Sequence, residues 1–335
     1  MDNVSERRAA ALALDLGASR IRAGVVDGTG RVVSRAQART PVEAGPQGVL
    51  ATSISMLRRV RDEATPAVRE EIVGVGIAAP GPLDVVAGSL VEPPNMPRSF
   101  RGAALAAPIS AALSLPAVLE RDTHVAALAE WSFGAARGLN DFLYITVSTG
   151  IGGAIVAGGR LIAGPDGVAG ELGHLLVEID GPPCGCGARG HLEAIASGSG
   201  IARAATAAIA AGSAPGLAVI AASRGRGLDA RDVAESEEDG DEAAAKIMER
   251  ARRAFAESCV SLVDILNPER LVVGGSLARN QGERWLQPAR DHVAAVAFRV
   301  PRARVAIVSA DLGDDVGLVG ALPLLVRGSV GSLPR

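Results

Sequence analysis

Two stretches of the chain follow one pattern, and that repetition narrows the fold more than any other feature. DLGASRIRAGVVDGTGRVV, from Asp15, and VSTGIGGAIVAGGRLIA, from Val147, each run strand, small-residue loop, strand, glycine turn, strand. Asp27-Gly28 and Gly158-Gly159 supply the turns, where glycine tolerates positive φ. Identity between the copies is low, so the match is one of pattern, as expected of a diverged duplication. Around them, strands and helices alternate. A helix over 47–64 leads to a buried strand over 71–81, a helix over 102–114 and a short strand over 116–122. After the second copy come helices over 198–211 and about 240–266, strands over 271–275 and 304–310, and a closing helix from 317. This predicts an α/β protein of two duplicated lobes facing each other across a cleft. The expected division is an N-terminal lobe over 1–121, with 318–335 packing back on it, and a larger lobe over 122–317. The acidic run Glu235–Glu242 is expected at the start of the long helix, where negative charge complements the helix dipole.

Several function classes fall away on composition. The 335 residues carry a net charge of −3 and only 2% aromatics, so neither a basic surface nor a stacking platform for nucleic acid is expected. No stretch approaches 18 uninterrupted apolar residues, and MDNVSERRAAALALD is too short in apolar length for a signal peptide. A cytoplasmic protein without membrane partners is the expectation. Three cysteines are too few for a disulfide framework. Lys246 is the only lysine, which leaves lysine-dependent chemistry a single candidate in a charged helical setting.

The strongest chemical signal lies in GELGHLLVEIDGPPCGCGARGHLE, residues 170–193. His174, Cys184, Cys186 and His191 fall within 18 residues of a chain that has four histidines and three cysteines. Imidazole and thiolate donors suit Zn²⁺, and four filled positions describe a closed structural site rather than a catalytic one. Glu171 and Glu193 flank this loop, where a rigid metal loop would aim both at a polyol. Two small-residue loops follow strands in matching positions of the duplication, Asp15-Leu-Gly17-Ala-Ser19 and Ser148-Thr149-Gly150-Ile-Gly152. Such loops let backbone N–H groups approach phosphate oxygens, although glycine at a hairpin corner has the same composition. Neither is a Walker loop. Asp122 ends a strand and precedes a helix, which suits a site at the carboxyl end of an α/β sheet and equally suits a helix N-cap.

These residues together resemble the ROK family (repressors, open reading frames and sugar kinases). The resemblance spans the chain from Leu12 to the helix after Gly320. It rests most specifically on E-x-x-H-x9-C-x-C-G-x2-G-x-x-E, Glu171 through Glu193, with GVGIAAPG, PPN, ERDTHVAALAEWSFGAARG, ASGSGIAR and LVVGGSLA in support. It implies an actin-like ATPase (ribonuclease H-like) fold. It also implies an ATP-dependent, glucokinase-like phosphotransferase acting on a hydroxyl of a hexose or N-acetylhexosamine. Residue by residue, Asp122 matches the catalytic base. Asn95, Glu171, His174 and Glu193 match sugar contacts, and His174, Cys184, Cys186 and His191 match zinc ligands. Asp15, Gly17 and Ser19 match the first phosphate loop, with Asp15 near Mg²⁺; Thr149, Gly150 and Gly152 match the second. Gly274 and Gly275 match the turn near the adenosine. A homodimer is also implied.

The chain departs from the family where Arg121 replaces an Asn before the base. Arg121 is then expected to point away, to pair with Asp122, or to bind an anionic sugar. His124 stands where a second Asn is usual and reads as a packed histidine. His191 replaces a fourth cysteine ligand, and Ala18, Ser19 and Ala154 depart in the two loops. Two alternatives follow: a non-catalytic sugar- or nucleotide-binding relative, or a ROK-type regulator lacking its DNA-binding domain. With ten or so residues before the first strand, a helix-turn-helix is not expected.

Overall fold

The computed structural model describes residues 9–93 and 96–327. The chain divides into two compact units, residues 1–139 with 161–169 and 311–335, and residues 140–160 with 170–310.

The first unit is built on β1 (Ala10–Leu16), β2 (Arg20–Val26), β3 (Val32–Arg39) and β4 (Ile72–Ala79). A two-strand ribbon follows, β5 (Leu83–Asp84) with β6 (Ser89–Leu90), and then β7 (Ala117–Arg121). The sheet order is β3-β2-β1-β4-β7. The hairpin strands are antiparallel, while β1, β4 and β7 run parallel. β4 reads IVGVGIAA and is buried over its last six residues, the near-continuous apolar run of a strand covered on both faces. One cover of the sheet is the helix Gly45–Glu63, which packs on β1, β2 and β3 and whose buried Val49, Ser53, Met56, Leu57 and Val60 form a single stripe. Another is the helix Ala321–Arg327. A Cβ at Gly76 would lie 2.6 Å from Ala321, so glycine is what lets that helix sit directly on β4.

The second unit repeats the plan with β8 (Phe142–Val147), β9 (Ile151–Ala157), β10 (Arg160–Ile162), β11 (Arg270–Gly274) and β12 (Ala306–Ser309). Its order is β10-β9-β8-β11-β12, with β8 and β9 antiparallel and β8, β11 and β12 parallel. The duplication expected from the two glycine-turn hairpins is therefore present in the strand order. The helix Glu242–Leu266 shares the hydrophobic core of this sheet and is N-capped by Asp241 and ended by Asn267 in the left-handed region. Met248, Ala251, Phe255, Cys259 and Leu262 line its buried face.

One sequence expectation is corrected. Glu235–Glu238 do not start the long helix; they close a separate helix, Ala230–Glu238. Asp239 and Gly240, the latter at φ +90°, break the chain before Asp241 caps the next helix. Acidic side chains at a helix C-terminus oppose the dipole, and arginines offset them here. Arg224 reaches Glu235 at 3.1 Å, and Arg284 reaches Glu237 at 2.8 Å and Glu238 at 2.6 Å. Among the described residues, no single helix is long and apolar enough to cross a membrane.

Candidate active site

Parallel strands place their carboxyl ends together, and Asp15, Asp122, Thr149, Gly150, Gly274 and Gly275 lie at or just after those ends. In the first sheet Asp15 pairs with Ala78 and Ala79 with Arg121, so Asp15, the loop after β4 and Asp122 share one edge. In the second sheet Gly274 pairs with Thr146, which brings the ends of β8 and β11 level.

At the first edge, Asp122 opens the helix Asp122–Phe133. It is exposed, whereas the next eight residues of that helix are all buried. Arg121 takes the N-cap position without a side-chain cap bond, and the Asp122 Oδ1 accepts from its neighbour's Thr123 N–H at 2.7 Å. The Asp122 carboxylate therefore faces outward from an apolar helix. Arg121 is buried, and its Nη1 donates to the carbonyls of Gly167 at 3.2 Å and Ala169 at 2.9 Å. His124 is fully buried, as a packed histidine should be. In the first small-residue loop, Gly17 N–H donates to the Arg20 carbonyl at 2.9 Å, and buried Thr40 holds the Gly17 carbonyl at 2.7 Å. Ser19 is exposed there, and the Asp15 carboxylate is ion-paired with Arg22.

At the second edge, the loop after β8 is bare backbone and hydroxyls. Gly198 N–H donates to the Ser148 carbonyl at 2.8 Å and Ser199 N–H to the Thr149 carbonyl at 3.0 Å, so the helix Gly198–Ala210 starts against this loop. Glu193 Oε2 accepts from Ile151 N–H at 2.9 Å, and a Cβ at Gly150 would lie 2.7 Å from that oxygen. The structure thus sets Glu193 beside Gly150, on a helix (Leu192–Ala196) rather than free in a loop. Gly152 lies in β9 opposite Thr146. After β11, a Cβ at Gly274 would lie 2.6 Å from the Tyr144 hydroxyl. Gly275 has φ +92°, and a Cβ there would overlap the Val147 carbonyl. Only glycine meets both demands at Gly275. The next residue, Ser276, has its Oγ 2.9 Å from Ser148 Oγ.

These two loops open into a cavity of about 730 Å³ walled by Ser148, Thr149, Ser199, Ser276, Asn280 and Gln281 on one side and by the helix Ala230–Glu238 on the other. That volume suits a nucleotide-sized ligand. Asp229, Arg231, Asn280 and Gln281 were not foreseen from sequence, because they sit in no motif and converge from separate segments.

The metal loop closes on itself. The donor atoms of His174, Cys184, Cys186 and His191 all lie within 4.8 Å of one another. His174 Nδ1 and His191 Nδ1 are 3.2 Å apart, Cys186 Sγ is 3.3 Å from His191 Nδ1, and Cys184 Sγ is 3.8 Å from His174 Nδ1. Ligands around a tetrahedral zinc are spaced by roughly 3.3–3.8 Å, so the donor set fits that ion. Burial pushes the Cys184 thiol up, which the Cys186 backbone N–H opposes; a bound cation would reverse the preference. Glu178, bonded to Arg250 at 2.7 and 2.9 Å, fastens the loop to the long helix. His174 turns its other nitrogen, Nε2, toward Glu171 Oε2 at 3.9 Å, so the ring links the cluster to an exposed carboxylate. Asn95 lies outside the described residues.

A family model described as "ROK family" matches residues 11–327. The chain belongs to the ROK family. An N-acetylmannosamine kinase of Escherichia coli is 33% identical, over 95% of this chain and 98% of that protein. A glucokinase of Thermotoga maritima is 31% identical, over 94% and 96%. Among solved structures, a ROK family glucokinase of Streptomyces griseus in complex with glucose and AMPPNP superposes with a TM-score of 0.78 at 31% identity, over 95% of this chain and 100% of that one. The fold is accordingly the actin-like ATPase fold of ROK sugar kinases, with the two copied sheets as its halves.

Proposed function

We propose that this protein is an ATP-dependent sugar kinase that transfers the γ-phosphoryl group to a hydroxyl of a hexose or N-acetylhexosamine. The observation that carries the reading is Asp122: an exposed carboxylate at a strand's carboxyl end, on a helix otherwise buried around it. Kinase relatives matched over nearly the full length support it.

Phosphoryl transfer asks the protein for position and charge stabilisation rather than covalent chemistry. The reading gives the cavity behind Ser148 and Thr149 to the nucleotide, with the backbone N–H groups of Thr149 and Gly150 and the hydroxyls of Thr149 and Ser276 toward its phosphates. Mg²⁺ arrives with ATP as part of the substrate. The acceptor hydroxyl gives its proton to the Asp122 carboxylate as its oxygen bonds to the γ-phosphorus. The bond from that phosphorus to the bridging oxygen breaks, and its electron pair leaves with ADP. Asn95, Glu171, His174 and Glu193 are assigned to the sugar. Zn²⁺ held by His174, Cys184, Cys186 and His191 would be structural: with four protein donors it keeps no open position. It would stiffen the loop that carries Glu171.

The test is Mg-ATP turnover to ADP against neutral, N-acetylated and acidic sugars. The expected result is turnover with a hexose or its N-acetylated form. ADP release that no sugar stimulates, from folded protein, would overturn the reading.

A further inference from the structure

Three ionisable side chains crowd the end of β7, and the reaction above uses none of them. Glu120, Arg121 and His124 are 2%, 3% and 0% exposed, although Asp122 between them is exposed. Glu120 Oε1 accepts from the Arg121 N–H at 3.0 Å and lies 3.0 Å from His124 Nδ1. His124 Nε2 lies 3.4 Å from both Arg121 Nη1 and the Ala169 carbonyl oxygen, so the ring packs where Arg121 meets the 167–169 backbone. The same Nη1 donates to the carbonyls of Gly167 and Ala169. The Arg121 stem covers the loop after β4, where a Cβ at Gly81 would lie 3.3–3.4 Å from Nε, Cδ and Cγ.

A buried guanidinium needs a compensating carboxylate. Glu120 is a carboxylate buried in the same cluster, 3.0 Å from His124 Nδ1. One side chain therefore joins three segments that the sequence keeps far apart: the strand end bearing Asp122, the loop at Gly81, and the backbone at 167–169. Burial and the commitment of Nη1 to backbone carbonyls do not suit the capture of an anionic ligand.

We propose that Arg121, braced by His124 and Glu120, is a positioning residue: it clamps the 167–169 backbone to the end of β7 and thereby sets the orientation of the Asp122 carboxylate. The second half of this statement rests on the sugar-kinase reading; the clamp itself does not.

The test therefore has two arms on the full chain, with wild type beside Arg121→Met, Arg121→Lys and His124→Gln. The first arm is hydrogen–deuterium exchange. Arg121→Met should raise exchange at residues 164–170 at least tenfold while strands β1, β4 and β8 keep their protection. Arg121→Lys, with a charge but no fork, should fall between, and His124→Gln should loosen the segment less. The second arm is steady-state kinetics with the sugar that wild type phosphorylates best. Arg121→Met should lower kcat about tenfold to a hundredfold, with the KM for ATP unchanged within twofold. Wild-type exchange at 164–170 in Arg121→Met, or a uniform rise across the chain, would overturn the clamp. Local loosening with unchanged kcat would overturn the positioning role. If Arg121→Met fails to fold, Arg121→Lys and His124→Gln decide by the same readouts. A wild type that phosphorylates no sugar would count against the sugar-kinase reading and the positioning half, while the exchange arm still decides the clamp.

Discussion

The two sheets share one strand order and one pattern of strand directions, yet their carboxyl edges carry opposite chemistry. The first edge is charged: Asp122 faces outward, Asp15 is paired with Arg22, and Glu120 and Arg121 lie buried beside them. The second edge is dominated by hydroxyls and glycine: Ser148, Thr149 and Ser276 line a cavity, Gly275 turns the chain beside them, and a carboxylate there, Glu193, is tied to the Ile151 N–H. A copied scaffold thus keeps its topology while its loops diverge in function. On the proposed reading, one edge takes up a proton and the other cradles an anion. The sharpest attempt to break this contrast is Asp122→Asn. It should lower kcat by about 10²–10⁴, the usual worth of a general base, with little change in the KM for ATP. A loss under tenfold would remove proton transfer from the first edge.

The next largest effect belongs to the His/Cys loop, which among the described residues has no counterpart in the first unit. Removing the metal by chelation, or changing Cys186→Ser, should cost zinc content and at least tenfold in kcat/KM for the sugar. Rapid proteolysis within 175–191 should accompany it. Metal analysis that finds no zinc in active protein would refute this. Glycine scanning then compares the two edges directly. Gly275→Ala meets both a positive φ and the Val147 carbonyl, so a stability loss of about 2–4 kcal/mol is expected in urea titration. Gly17→Ala meets only the Arg20 carbonyl at 3.1 Å, and about 1 kcal/mol or less is expected. Equal losses would mean that the two edges are equally crowded.

Much of this architecture is legible before folding, for identifiable reasons. The copied hairpins are legible because turn chemistry is local: Gly158 and Gly159 both take positive φ as expected, while in the first hairpin the positive φ falls on Gly30 rather than on Gly28. The metal donors are legible because all four lie within 18 residues of sequence. What escapes is set by contacts between distant segments. Arg121 has three destinations open to it from sequence, and two of the groups it reaches, the Gly167 and Ala169 carbonyls, lie 46 and 48 residues away. The cavity wall of Arg231, Asn280 and Gln281 has no motif at all. The break at Asp239-Gly240 is missed because the acidic run continues through it. Cys259 is inert packing in the long helix, where full burial pushes its thiol up to about 12.

The smallest expected effect separates the two units by acid. The helix Ala230–Glu238, one wall of the cavity, is pinned by Asp232, whose side chain is fully buried. Burial alone would raise its pKa. The Asp229 backbone N–H at 2.9 Å, Arg226 at 2.9 and 3.2 Å, and Arg224 at 2.9 Å outweigh that and hold it below the usual carboxylate range. A carboxyl held low in the folded state contributes stability that is complete above its unfolded value of about 3.9, and loses it as pH falls through the folded value. The chain has two tryptophans, Trp131 in the first unit and Trp285, packed on Phe255, in the second. In single-tryptophan variants, Trp285 fluorescence should therefore report a loss of stability below about pH 4 that flattens in Asp232→Asn, since an amide has no proton to gain. Trp131 should report the same acid response with or without that change. A Trp285 profile unaltered by Asp232→Asn would mean that the arginines around Asp232 are satisfied elsewhere, and that the cavity wall is held by packing rather than by charge.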